Sequence, residues 1–344
     1  MLAAIQSGIH EVDVRDISIP ARTDAALVRV KAAGICGSDL HQYHRRKERH
    51  SVPEGHEVAG EVVQLPTTYQ GPLRVGDLVA VDTVCLGQAC GACAFCRSGQ
   101  PFHCPERNRK PAWGGGFAER IQRYPAGLFR LPAGMTAEAG ALVEPLAVGV
   151  HALRWAHMAR DSTVVILGSG TIGLATLVAA RALGAGNVYL LARHAHQTEL
   201  AGRLGATAAV SAEPADAITL IRQLTGGAGA DLVVEAVGGR AETLQFAWQL
   251  VRPQGTVAVL GVFPEHVALD LIPPLLKEVW TTFPACYGVI EGRHDFEVAI
   301  EILAADGTLA AELVTHRFPL HNAPAAFRTA ADKSTGSVKV QIMP

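Results

Sequence analysis

Four cysteines, Cys90, Cys93, Cys96 and Cys104, stand in one run, CGACAFCRSGQPFHC. Two successive C-x-x-C steps and a fourth thiol after a seven-residue loop can wrap one tetrahedral ion. Zinc takes four thiolates at about 2.3 Å, and a closed shell of that kind is structural rather than catalytic. The alternative is a disulfide cluster. The N-terminal stretch MLAAIQSGIHEVDVRD lacks the basic start and apolar core of a secretory signal, and the other cysteines are scattered. Zinc in a reducing, cytoplasmic setting is therefore the expectation.

The chain of 344 residues is long enough for two domains with their own cores. Its net charge of −2 and pI near 6.7 give no reason to expect nucleic acid or an anionic membrane as partner. The most apolar stretch, from Val164 to Ala180, is interrupted by Gly168, Gly170 and Gly173, which suits strand, turn and helix better than a membrane span. The first 150 or so residues carry short β-type runs such as AALVRVKAAG, EVAGEVVQL and DLVAVDTV, as in an irregular, barrel-like β domain. From about Ala147 strands alternate with helices, the pattern of a parallel sheet covered on both faces. The expected division is 1–147 (zinc lobe about 85–110), then a dinucleotide-binding domain at 148–280. A return to the first domain follows at 281–344.

The segment VVILGSGTIG places Gly168, Gly170 and Gly173 in G-x-G-x-x-G order directly after an apolar strand. A helix and a second strand, NVYLLA, follow, which is the context a dinucleotide fingerprint requires. The first glycine permits the turn, the second lets backbone approach the pyrophosphate, and the third lets helix pack against strand. Thr171 and Ile172 then open the helix whose N–H groups face the phosphates. Leu260 and Gly261, ending the strand TVAVLGV, are assigned to the same site. Where an Asp or Glu would hold the ribose of NAD, the chain has Ala192, Arg193 and His194. Arginine can bond a 2′-phosphate that a carboxylate would repel, so NADP is read over NAD.

Three further segments carry metal-ligand chemistry: GICGSDLHQ with Cys36, PEGHEVAGEV with His56 and Glu57, and ALVEPLAVGVHA with Glu144. With GGGFAE, the cysteine lobe and the nucleotide fingerprint, in this order, the chain resembles the zinc-dependent medium-chain alcohol dehydrogenases. Within them it resembles the polyol, threonine and butanediol dehydrogenase branch. The resemblance implies an α/β fold, a Rossmann-type domain inserted in a β-barrel-like (GroES-like) catalytic domain with a small structural zinc lobe. It implies a catalytic zinc held by Cys36 and His56 with Glu57 or Glu144, the choice of glutamate left open. It also implies hydride transfer between a secondary alcohol and NADP or NAD, with Ser38 and His41 as the proton relay.

Further residues follow from the same resemblance. Asp39 is either an acid orienting the zinc-bound histidine or a turn former. Lys339 stands where the family often places a basic pyrophosphate contact near the C-terminus, and Gly37 stands where some members have an arginine that contacts it. The basic segment Arg45, Arg46, Lys47 and Arg49 reads either as an attractor for an anionic substrate or as a solvated loop. Tyr43, Trp113, Phe283, Cys286 and Tyr287 are cleft candidates that could equally be core. A homodimer or homotetramer is expected. The competing functions are a zinc-free quinone or enoyl reductase on the same fold, and a silent nucleotide-binding protein.

Overall fold

The computed structural model describes the chain except residues 19, 21, 46, 47, 49, 50, 108–113, 211–213, 240 and 241, and the side chains of 214 and 215. Arg46, Lys47, Arg49 and Trp113 thus lie outside the described residues. Two compact units form, Met1–Glu144 with Glu291–Pro344, and Pro145–Ile290. The second unit reaches past residue 280, where Trp280–Thr282 pairs with Thr256–Ala258 and the Arg154 guanidinium donates to the Ile290 carbonyl.

The first unit begins with a hairpin of β1 (Leu2–Gly8) and β2 (Glu11–Asp16). Its main sheet contains β3 (Ala26–Gly34), β4 (Glu57–Gln64), β5 (Leu78–Asp82), β6 (Arg120–Arg123) and β7 (Leu128–Arg130). Two C-terminal strands, Val314–Pro319 and Lys339–Met343, join them. Among the described residues the seven strands run as an open path, with β6 branching from β3, and not as a closed barrel. Alternation at period two buries Val28 and Val30 of β3, Val58 and Val62 of β4, and Val79 and Val81 of β5 against Phe117, Ile121 and Phe327. In the register, Gly34 lies opposite both Glu57 and Gln341. A Cβ on Gly34 would come within 1.9 Å of the Glu57 carboxylate, so this strand end accepts only glycine beside that acid. Helices α1 (Gly37–Arg45), α2 (Ala94–Arg97), α3 (Ala137–Ala141) and α4 (Val143–Trp155) complete the parts that matter for the sites.

The second unit holds a six-stranded parallel sheet: β8 (Thr163–Leu167), β9 (Asn187–Leu191), β10 (Ala208–Val210), β11 (Ala230–Glu235), β12 (Val251–Val259) and β13 (Trp280–Thr282). The order is β10-β9-β8-β11-β12-β13, so chain direction across the sheet reverses between β8 and β11. Ligands of open α/β sheets bind beyond the carboxyl ends of the strands at such a reversal. Helices α5 (Thr171–Ala182) and α6 (Ala195–Arg203) follow β8 and β9. Val165, Leu167, Val233, Val257, Val259 and Trp248 form the core of this unit.

Candidate zinc and nucleotide sites

The four cysteines of the lobe converge, with every sulfur within 4.8 Å of the others. Cys93 caps α2, and its sulfur accepts from the Cys96 N–H at 3.5 Å. The Cys90 sulfur accepts from the Ala92 and Cys93 N–H groups at 3.4 and 3.3 Å. Those amides bring the Cys90 thiol down to about 7, while burial and its hydrogen-bonded Cys93 neighbour push Cys96 up to about 12. Four thiols so close cannot all ionise alone. A divalent cation removes the conflict, and the donor set fits zinc.

A second set forms where β3 and β4 end side by side. Cys36 leaves β3, His56 precedes β4 and Glu57 opens it, and their ligand atoms lie within 4.8 Å of one another. Thiolate, imidazole and carboxylate are suitable zinc donors, and three of them leave a fourth position for water or substrate. Burial opposes a charged His56, yet Cys36, Asp39 and Glu144 together hold its pKa well above the ordinary imidazole value. Asp39 is buried, with one oxygen accepting from the Cys36 N–H at 2.8 Å and the other 4.0 Å from His56 Nδ1. Burial raises its own pKa. It therefore holds the Cys36 amide and lies within ion-pair range of the histidine. Ser38 and His41 are exposed on α1, the helix that starts immediately after Cys36.

Glu144, in the first turn of α4, is buried outside this three-residue cluster. Burial raises its pKa to about 7, with the Glu57 charge adding to the effect and His56 opposing it.

Lys339 is not a pyrophosphate contact. It is 1% exposed, and its ammonium donates to both Glu57 oxygens at 2.6 Å and to the Ile35 carbonyl at 3.0 Å. All three of its donors are consumed inside the first unit. The reason is the pairing of its strand with β3, which turns this side chain inward toward Glu57. Gln6 is a further residue that sequence reading missed; its buried amide donates to the Asp39 carbonyl at 3.0 Å and ties α1 to β1. A polar residue directly after the apolar run LAAI was the available signal.

In the second unit, Gly168 has φ 104° at the end of β8, a conformation that L side chains rarely adopt. A Cβ on Gly173 would lie 1.9 Å from the Gly168 carbonyl, whereas Gly170, capping α5, faces open space. That cradle fits a pyrophosphate over the first turn of α5, which opens at Thr171. Ser169 Oγ donates to Gln197 at 2.6 Å. Ala192 is buried, while Arg193 and His194 are exposed where β9 ends. The His194 ring stacks on His196, with centroids 5.6 Å apart at 12°, a neighbour the sequence reading did not single out. The Leu260 and Gly261 N–H groups donate to the Glu235 carbonyl at 2.8 and 3.1 Å.

Of the cleft candidates, Tyr43 and Tyr287 are core, and Tyr43 packs on Phe327 at 5.4 Å. Phe283 is exposed, and Cys286 has φ 55°.

Comparison with known proteins identifies the family. Residues 22–133 match the alcohol dehydrogenase GroES-like domain and residues 171–305 match the zinc-binding dehydrogenase domain. The chain is 31% identical to sorbitol dehydrogenase of Bacillus subtilis (strain 168), covering all of this chain and 97% of that protein. Galactitol-1-phosphate dehydrogenase from Escherichia coli superposes with a TM-score of 0.86 at 26% identity over the full length of both chains. A putative zinc-binding dehydrogenase from Sinorhizobium meliloti 1021, bound to NADP, gives 0.83 at 30% identity over 100% of this chain and 99% of the other. With these likenesses over its whole length, the chain belongs to the zinc-dependent medium-chain alcohol dehydrogenase family.

Proposed function

We propose that this NAD(P)-dependent zinc oxidoreductase oxidises a secondary alcohol of polyol, sugar or aminocyclitol type to the ketone, with NADP preferred. The cluster of Cys36, His56 and Glu57 is the observation that carries the reading, because a zinc-free reductase has no use for a three-donor site beside a closed four-thiolate lobe. When bound, zinc supplies Lewis acidity toward the alcohol oxygen and the nicotinamide supplies the hydride acceptor. The chain's own residues do the rest. Asp39 orients His56, the Ser38 hydroxyl takes the alcohol proton, and the His41 imidazole passes it to solvent. Arg193 and His194 receive the 2′-phosphate, and the absence of a carboxylate at 192–194 supports NADP.

Metal analysis combined with a cofactor absorbance assay tests this on a panel of polyols, phosphorylated polyols and aminocyclitols. Zinc-bearing protein that reduces a quinone or enone but oxidises none of these alcohols would refute it.

We further propose a homodimer or homotetramer in a reducing cytoplasm. Trp280, on the edge strand β13, is 74% exposed, and Leu275, Leu276 and Phe283 lie exposed near it. An open edge beside such a patch favours pairing with a second copy. Light scattering of Trp280→Lys should give a smaller species. Among the described residues no helix is long and apolar enough to cross a membrane.

A further inference from the structure

Glu235 ends β11 with its side chain 0% exposed. Its Oε1 accepts from the Val237 and Gly238 N–H groups, each at 2.9 Å, and from Thr243 Oγ1 at 2.6 Å. Its Oε2 is equally buried and, among the described residues, accepts nothing. An ionisable group kept inside a sheet with half its capacity unused is costly, and an apolar residue would fill the place at lower cost.

What this residue holds explains its presence. Its carbonyl accepts from Leu260 and Gly261, the next amide, of Ala236, donates to Leu167, and Gly239 N–H donates to Val262 O at 2.7 Å. The carboxyl ends of β8, β11 and β12 are therefore tied together at one residue. Gly261 is part of the fit, since a Cβ there would come within 2.2 Å of Oε2. Beyond this knot stand two exposed valines, Val237 at 42% and Val262 at 72%.

The sheet order says which half of a dinucleotide reaches this place. A pyrophosphate on the glycine turn after β8 would send the adenosine side over β9 toward Arg193. The other half must extend over β11 and β12, the strands on the opposite side of β8.

We propose that Glu235 is a positioning residue for the nicotinamide half of the cofactor. It acts by fixing the turns at Val237–Gly239 and Leu260–Val262 on which that half rests. The proposal builds on the nucleotide reading above.

The test is fluorescence titration of the full-length protein with NADPH, alongside competition by ADP-ribose and its 2′-phosphate, which lack nicotinamide. Glu235→Ala should raise the NADPH dissociation constant about tenfold or more, the scale of a lost hydrogen bond to a charged group. Its affinity for both ADP-ribose probes should stay within about threefold, well under the tenfold that 1.4 kcal/mol represents. Glu235→Gln keeps an oxygen for the three donors and should restore most of the NADPH affinity. If Glu235→Ala does not fold, Thr243→Val removes one donor and should show a smaller loss with the same selectivity. Equal weakening of NADPH and ADP-ribose, or of neither, would overturn the proposal. Wild-type protein that binds neither reduced cofactor would instead overturn the nucleotide reading, and the proposal with it.

Discussion

Lys339 and Glu57 form a buried ion pair across 282 positions of sequence, with the ammonium 2.6 Å from each carboxylate oxygen. Glu57 also belongs to the trio of side chains that could hold a metal, and in the zinc reading proposed above the lysine and the metal would share one carboxylate. Without the metal, Lys339 neutralises Glu57. With zinc bound, the pair would limit how much negative charge the metal receives.

Loss of the lysine should therefore cost more when zinc is absent. Lys339→Met leaves a buried carboxylate uncompensated, a change typically worth about 3–5 kcal/mol. Urea unfolding of chelated protein should show a loss of that order, and zinc-loaded protein a smaller one. Equal losses with and without zinc would mean that Glu57 is not a ligand.

Metal content separates the two donor sets. Elemental analysis should find about two zinc ions per chain. Cys93→Ala should lower the count to about one and cut stability, because binding energy is folding energy in a closed site. Cys36→Ala should also leave about one, but keep the unfolding midpoint near wild type and abolish turnover. A fully active Cys36→Ala enzyme is incompatible with the assignment.

Glu144 gives the metal-free protein a pH signature. Its pKa rises from 4.5 to about 7 because burial, helped by the Glu57 charge, disfavours the ionised form. The folded state thus binds a proton that the unfolded state has released, and the associated stability is present below 4.5 and lost as pH climbs through about 7. Glu144→Gln should remove this component. The difference in urea midpoint between chelated Glu144→Gln and chelated wild type should then widen in favour of the variant across that window. A difference independent of pH would contradict the shift.

Ser38 and His41 stand exposed on the helix that begins beside the zinc cysteine, as a proton exit requires. Ser38→Ala should lower kcat at neutral pH by about 10²–10⁴-fold, the usual worth of acid–base help. His41→Ala should be milder and partly rescued by imidazole or higher pH. Full activity of Ser38→Ala across the pH range would place the relay elsewhere.

Coenzyme choice rests on the end of β9. One charge-assisted hydrogen bond from Arg193 to the 2′-phosphate should favour NADP over NAD by roughly 10–100-fold in kcat/KM. The pair Ala192→Asp with Arg193→Leu adds repulsion, removes attraction and should weaken or invert the preference. Steady-state kinetics with both cofactors decide this, and equal use of NAD by the wild type would refute it.

The sequence by itself determined what is local in the chain. The lobe cysteines lie within 15 residues, and the glycines that shape the phosphate turn lie within six, so spacing alone states their geometry. Strand–helix alternation likewise announced the parallel sheet, because each element carries its own periodicity. Only the tertiary structure decided the partners of isolated charges. Nothing near Lys339 in sequence says that it faces Glu57 rather than a phosphate; the pairing of its strand with β3 does. The raised pKa of Glu144 and the three donors on Glu235 have the same origin. Desolvation and hydrogen bonding depend on which surfaces close over a side chain, and those surfaces come from segments far apart in the chain.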